Sequence, residues 1–188
     1  PWLWFSKSVS SSSNVIVDGQ TLMLQTGVPA IYFPLVKLLQ TTIKQIPVFL
    51  LLFIFTWSQG YAPSLHWLVL IPLVVVQLFI TTTFVLGISA IVPFIRDLHY
   101  LVPSVIAFMF FLSGIFYDYK NISPEWQGLF LKNPMAYLLK CYREILMEHT
   151  TPNLLTLSIW GLISGSMCIV LLLSYRRLQH VFPRVVME

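Results

Sequence analysis

Charged residues are scarce in this chain. Lys, Arg, Asp and Glu together make up 10% of its 188 residues, whereas a soluble globular domain usually carries about 25%. Apolar residues make up 57%, and the mean hydropathy is +0.80. This balance excludes an ordinary soluble domain and predicts an integral membrane protein.

Sequence motifs that hold a nucleotide or a catalytic metal are also missing. The chain contains no GxxxxGKS/T phosphate loop, no HExxH pair and no GxSxG elbow. Its two cysteines and four histidines are dispersed among different segments, at Cys141, Cys168, His66, His99, His149 and His180. We therefore predict no catalytic residue, no metal site and no bound cofactor.

The basic residues do not form a patch for nucleic acid. The formal charge is +4, but the eleven Lys and Arg are distributed between apolar runs, as membrane topology requires. Seven would lie on one side of the membrane, at positions 7, 37, 44, 96, 176, 177 and 184, and four on the other, at 120, 132, 140 and 143. This asymmetry predicts that the turn at Arg96 and the C-terminus face the cytoplasm and that residues 118–153 face outward.

Four apolar runs have the length of a membrane-crossing helix, about 20 residues. They cover roughly residues 35–57, 67–92, 99–117 and 154–175, and the third contains a break at Ser113-Gly114. Residues 1–5 are rich in aromatic side chains and are expected to be the interfacial end of another span. The sequence thus predicts an all-α, polytopic helical bundle with about four complete spans and the end of another.

Residues 118–153 are apolar but carry too many charges to cross a membrane cheaply. From Met135 onward apolar residues recur at helical spacing, and Asn133 before Pro134 is typical of a capped helix start. We predict two short re-entrant helices, from about residues 123 and 133. Four carboxylates of this segment could instead pair as acid and base: Asp118, Glu125, Glu144 and Glu148.

A series of short motifs runs along nearly the whole chain. They are Val28-Pro29 with Pro34 five residues on, Arg96-Asp97, Ser113-Gly114-Ile115-Phe116-Tyr117, Pro124, Asn133-Pro134-Met135 and Tyr142-Arg143. Their order resembles the permease subunits of type-2 ABC exporters, most closely the branch that exports O-antigen, capsular or teichoic polysaccharide. Each motif is short, and the order and spacing carry the resemblance.

The resemblance implies a homodimer around a glycan channel in the bacterial inner membrane, above cytoplasmic ATP-binding subunits. ATP would be bound by those partners, and the other partners would be a lipid-linked glycan and membrane lipid, without nucleic acid. Residues 1–188 would form a single permease domain. Because the chain begins at Pro1, we expect an N-terminally truncated fragment without the family's amphipathic N-terminal helix and first span.

Two groups of site residues follow from the resemblance. Residues 14–28 are too polar to span and would form a surface helix or loop that couples to the ATPase. The second cytoplasmic turn, at Arg96-Asp97, would also take part. The coupling candidates are Asn14, Asp18, Gln20, Val28, Pro29, Arg96 and Asp97. Asp97 is also expected to cap the third span, while Arg96 either fixes topology or transmits movement. The path and gate would use Phe108, Phe111, Phe116, Tyr117, Asn133, Pro134, Tyr142 and Arg143.

The aromatic candidates, with Phe110, suit a glycan path because sugar C–H faces pack on aromatic rings. For most of them, lipid contact or helix packing is the favoured interpretation. Three other functions stay open at this point. The chain could be a permease for drugs or small lipids, a membrane enzyme that acts on lipid-linked sugar through its outer carboxylates, or a structural subunit.

Overall fold

A computed structural model of the chain describes residues 1–61, 65–117, 119–179, 181, 182 and 185. The described helices are α1 Trp2–Ser12, α2 Val15–Asp18, α3 Gln20–Thr26, α4 Tyr32–Ser58, α5 Leu70–Ile91, α6 Leu98–Leu112, α7 Pro124–Phe130, α8 Pro134–Leu146 and α9 Leu154–Leu178. Short 3-10 helices at Leu65–Val69 and Tyr119–Asn121 precede α5 and α7, and no strand occurs within these ranges. Asp118, His180, Arg184 and the side chain of His66 lie outside the described residues.

Three helices, α4, α5 and α9, are long and apolar enough to cross a membrane, which confirms three of the four predicted spans. The remaining predicted span, residues 99–117, corresponds to a shorter apolar helix, α6. α6 has 15 residues and a length of about 22 Å, against an apolar layer of about 30 Å. It stops at the predicted Ser113-Gly114 break, where Gly114 adopts a left-handed conformation with φ 67°.

α5 lies at the centre of the bundle, in contact with α1, α4, α8 and α9. In an apolar 18-residue stretch of each long helix, 44% of the residues are buried in α5, against 11% in α4 and 17% in α9. α9 approaches closely at Gly161, where an added Cβ would lie 3.1 Å from Val76 Cγ2. Thr83 adds a hydrogen bond between the two helices, from its hydroxyl to the carbonyl oxygen of Ser164 at 3.0 Å.

The N-terminal aromatic residues, which the sequence predicts at the end of a further span, lie inside the bundle. Trp2, Trp4 and Phe5 belong to α1 and are 7%, 2% and 1% exposed. α1 packs against α4, α5 and α6, and Trp4 Nε1 donates to Thr42 Oγ1 at 3.2 Å. Aromatic rings suit both an interface and the spaces between helices, and only the packing separates these two environments.

The two ends of the bundle carry different short helices. At one end, here called the basic end, α2 and α3 share an apolar cluster with the last turns of α5 and α9, including Ile16, Met23, Leu86 and Tyr175. The opposite end, here called the α8 end, carries α7 and α8. Both pairs of short helices occur where the sequence predicted a surface segment and a re-entrant segment.

Candidate functional site

The predicted coupling segment consists of α2, α3 and the loop to Pro29, and few of its side chains are buried. Ile16 and Met23 are the buried residues of the two helices. The five predicted contact residues are exposed or half-buried: Asn14, Asp18, Gln20, Val28 and Pro29. Leu22 and Leu24, which the sequence analysis missed, are 51% and 46% exposed. Exposed leucines on a short surface helix suit contact with another protein.

Local hydrogen bonds give this segment its shape. Asn14 Nδ2 donates to Asp18 Oδ1 at 2.7 Å across one turn of α2. Gly27 ends α3 in a left-handed conformation, with φ 68°, which glycine adopts without steric cost. Asn14 and Asp18 therefore stabilise each other and remain on the surface.

Asp97 does not cap the third span, which corrects the sequence prediction. It occupies the N-cap position of α6, but its side chain makes no capping hydrogen bond. Its backbone is helical, with φ −65° and ψ −20°, whereas a capping side chain normally needs an extended backbone. Asn133 and Asn153, with ψ 118° and 100°, have that backbone and cap α8 and α9. Arg96 and Asp97 are both exposed on the turn.

Apolar packing connects this turn with the coupling segment. Leu86 and Ala90, near the end of α5, belong to the same cluster as Ile16 of α2. Within the turn, the ring of Phe94 contacts that of Phe182, with centroids 6.0 Å apart, and Phe182 is a buried member of the cluster. The structure thus brings both predicted coupling regions to the basic end.

At the α8 end, Arg143 holds the turn that follows α6. Its guanidinium donates to the carbonyl oxygens of Gly114 at 2.8 Å, Ile115 at 3.0 Å and Tyr117 at 3.0 Å. Carbonyl groups of an irregular turn have no helical partners and require such donors. We call Arg143 and these three residues the turn clamp.

Both the oxygen and the nitrogen of the Asn133 side-chain amide form hydrogen bonds in the same region. Its Oδ1 accepts from the backbone N–H of Met135 at 3.0 Å, which confirms the predicted cap, and its Nδ2 donates to Ser113 Oγ at 3.4 Å. Pro134 occupies the first position of α8, where its missing N–H needs no partner. Four predicted gate residues, Tyr117, Asn133, Pro134 and Arg143, therefore lie close to the end of α6.

Tyr142 lies apart from the other gate candidates, in the core. Its hydroxyl donates to Gln77 Oε1 at 2.7 Å, and Gln77 Nε2 donates to the carbonyl oxygen of Pro1 at 2.9 Å. Gln77 is fully buried in the centre of α5. The sequence analysis missed Gln77, although a lone amide in a long apolar run indicates a hydrogen bond between membrane helices.

The remaining aromatic candidates form an exposed patch. Phe108, Phe111 and Phe116 are 66%, 61% and 73% exposed, and the last two have ring centroids 6.3 Å apart. Phe110 lies beneath them, with its centroid 5.1 Å from Phe116 and 5.8 Å from Trp2. In one copy of the chain these rings face outward, so they can line a path only where a second surface faces them.

Two of the four carboxylates predicted on the outer side, Glu144 and Glu148, pair with lysines. Glu148 Oε1 lies 2.6 Å from Lys120 Nζ, and Glu144 Oε1 lies 3.6 Å from Lys140 Nζ. Each of these glutamates thus has a lysine as its ionic partner. Within the ranges that the structure covers, no three His, Cys, Asp or Glu side chains come together as metal ligands.

These features define a polytopic helical membrane protein. It has two short helices, α2 and α3, at the basic end, and α7, α8 and the turn clamp at the α8 end. Residues 3–147 match the ABC-2 type transporter family, and the chain belongs to that family. Family membership and the apolar helices make it a multi-pass protein of the bacterial inner membrane.

Three curated relatives share one name, O-antigen export system permease protein RfbA. The protein from Myxococcus xanthus is 32% identical over 159 residues, which cover 81% of this chain and 60% of the relative. Two proteins from Klebsiella pneumoniae are 27% identical over 154 residues, covering 80% of this chain and 58% of the relative, and 26% identical over 189 residues, covering 98% and 71%. The chain spans 60% and 58% of the length of the first two relatives.

Proposed function

We propose that this chain is the transmembrane subunit of an ATP-driven exporter that moves a lipid-linked polysaccharide across the inner membrane. The polysaccharide class is O-antigen, capsular or teichoic glycan. The observation that carries the proposal is the similarity to O-antigen export permeases over 80–98% of the chain. Residues 1–188 would act as one permease domain.

A cytoplasmic ATP-binding subunit would dock at the basic end. The chain itself has no phosphate loop, so ATP hydrolysis belongs to that partner. The exposed polar residues Asp18 and Gln20 and the exposed Leu24 offer a mixed surface for contact. Movement of this surface would reach the spans through the cluster that joins Ile16 to Leu86 and the turn at Arg96 and Asp97.

A second copy of the chain would complete the path. α6 exposes Phe108 and Phe111, and Phe116 follows in the turn after it, so two copies placed face to face would enclose a channel with aromatic walls. Aromatic rings suit moving glycans because they pack on sugar C–H faces without fixing one orientation. The turn clamp and Asn133 would shape the outer mouth of this channel.

The test is export in a bacterial strain that lacks its own O-antigen export permease. The protein is co-expressed with its ATP-binding subunit, and surface polysaccharide is measured with an impermeant antibody. We expect surface glycan with the active pair. Replacement of the phosphate-loop lysine of the ATP-binding subunit should abolish export while the permease remains in the membrane.

Two results would contradict the proposal. One is surface glycan that persists with the inactive ATPase. The other is an inserted, ATPase-bound permease that exports no glycan while it transports a small lipid or drug in the same cells.

A further inference from the structure

A cleft of about 830 Å³ lies between the coupling segment and the first turns of α4. Val15, Leu22 and Val28 contribute one wall, and Tyr32 and Val36 contribute the other. The cleft is therefore formed by two elements that meet only at the basic end. A molecule bound there would contact both of them.

The polar groups of this cleft are basic or neutral. Lys37 and Gln40 of α4 and Thr26 of α3 contribute nitrogen and hydroxyl groups, and no Asp or Glu occurs among the described residues that line the cleft. A site with a lysine and without a carboxylate attracts an anion.

Lys44 extends this basic surface along α4. It lies two turns beyond Lys37 on the same face, about 10 Å along the helix axis, and it is exposed. Side chains of a helix lean toward its N-terminus, which for α4 is the end at the cleft. This direction allows the ammonium group of Lys44 to reach toward Lys37 and Gln40.

The depth of Lys44 indicates that it needs an anionic partner. From Lys44 to Ser58, the end of α4, there are 14 residues, or about 21 Å of helix, which is less than the roughly 30 Å of an apolar layer. Lys44 thus enters the apolar layer from the basic end. A lysine at this depth is costly unless its ammonium reaches headgroups or pairs with an anion.

An apolar strip continues from the cleft into the membrane. Val36, Leu39, Ile43, Ile46 and Leu50 recur at helical spacing on α4, and each is at least 50% exposed. This strip offers a surface for acyl chains next to the polar cleft. The cleft and Lys44 offer a basic site, and the strip beside them offers an apolar one. This arrangement along α4 suits an amphiphile with an anionic headgroup.

We propose that this cleft binds an anionic phospholipid, with its phosphate between Lys37 and Lys44 and its acyl chains along the apolar strip of α4. The lipid comes from the leaflet at the basic end. Because it contacts both α4 and the coupling segment, it restrains α3, of which only Met23 is buried. Lipid binding at this site requires that the cleft lie at the headgroup level of that leaflet. It does not require the exported substrate.

The test uses native mass spectrometry of the detergent-purified protein, titrated with phosphatidylglycerol or phosphatidylcholine. We expect the wild-type protein to retain phosphatidylglycerol preferentially. The double variant Lys37→Gln/Lys44→Gln should bind it roughly 25-fold more weakly, about fivefold for each lysine. Lys37→Arg/Lys44→Arg keeps both charges and should retain most of the affinity.

The matched control is Lys7→Gln/Arg177→Gln, which removes two exposed cations outside the cleft. It should leave phosphatidylglycerol binding within twofold of the wild-type value. An equal loss in this control would show general charge attraction and overturn the site. Equal retention of both lipids by the wild-type protein would overturn it even if the variants fail to fold.

Two further arms distinguish other occupants. Inorganic phosphate at 10-fold excess over the lipid should not displace phosphatidylglycerol, and displacement would assign the cleft to a soluble anion. Adding the ATP-binding subunit should leave the lipid bound, and its complete release would assign the cleft to that protein instead.

Discussion

Arg143 Nη2 donates a hydrogen bond to the carbonyl oxygen of Gly114 at 2.8 Å, across 29 positions of the chain. The same guanidinium reaches the carbonyl oxygens of Ile115 and Tyr117. One side chain of α8 therefore fixes the turn at which α6 stops. Within the proposed function, this contact sets the shape of the outer mouth.

Replacing Arg143 by lysine should loosen the turn while it keeps the positive charge. Lysine lacks the planar fork and cannot serve all three carbonyl groups. The bonds to Gly114 and Ile115 are partly buried, and leaving such a group without a partner costs up to about 1–3 kcal/mol. We expect a lower midpoint of thermal unfolding in detergent and reduced export at matched protein levels. Arg177→Lys, an exposed position at the other end, is the control and should change neither. Unchanged unfolding and export in Arg143→Lys would refute the clamp.

Gly114→Ala should destabilise the α8 end, and Gly128→Ala should not. At Gly114 the left-handed backbone costs a residue with a side chain about 1–2 kcal/mol, and the added Cβ would lie 2.6 Å from Phe130 Cζ. At Gly128, in α7, no atom lies within 4 Å of an added Cβ, and alanine favours the helix by about 0.5–1 kcal/mol. Thermal unfolding of both variants checks the difference. Equal midpoints would show that the turn tolerates a side chain.

Asn133→Ala and Asn153→Ala each remove the side-chain cap of a helix, α8 and α9 respectively. Each should cost about 0.5–2 kcal/mol of helix stability. Only Asn133 also donates to Ser113 at the end of α6, so only its replacement should reduce glycan export. The assay is surface glycan at equal amounts of inserted protein. Equal export by the two variants would remove Asn133 from the gate.

Arg96→Lys separates a topological from a mechanical role. Lysine preserves the charge that fixes orientation but loses bidentate contacts. If Arg96 transmits movement, the variant should insert and bind the ATPase normally, yet hydrolyse ATP without matching export. Coupling is measured as glycan exported per ATP hydrolysed, with Arg177→Lys as control. Normal coupling in Arg96→Lys would leave Arg96 as a marker of topology alone.

A cysteine at Asn121 should react with an impermeant thiol reagent in whole cells whose outer membrane is permeabilised. Asn121 is exposed near α7, and the native Cys141 and Cys168 are buried, so background labelling should be low. A cysteine at Thr21, exposed on α3, should react only after lysis. The reverse pattern would invert the orientation predicted from the basic residues.

Much of the architecture could be predicted because its signals are local. Low charge and long apolar runs identify a membrane bundle, since a polar backbone can cross lipid only as helices or closed barrels. Asn133 before Pro134 marked the start of α8, and Ser113-Gly114 marked the end of α6. Such signals act within a few residues, so the sequence itself contains them.

Side-chain partners could not be predicted in the same way. Asp97 and Asn133 both precede a helix, yet only Asn133 caps, because Asp97 has a helical backbone and Asn133 an extended one. Tyr142 and Arg143 are neighbours in sequence, but one bonds Gln77 in the core and the other holds the turn after α6.

The sequence alone determined the membrane class, most helix positions and the two ends at which short helices gather. Only the tertiary structure decided that Trp2 is a core residue and that Lys37 borders a cleft with the coupling segment. The physical reason is the range of the interactions. Hydrophobic periodicity and capping depend on residues within one or two turns, whereas packing joins atoms from helices far apart in the chain.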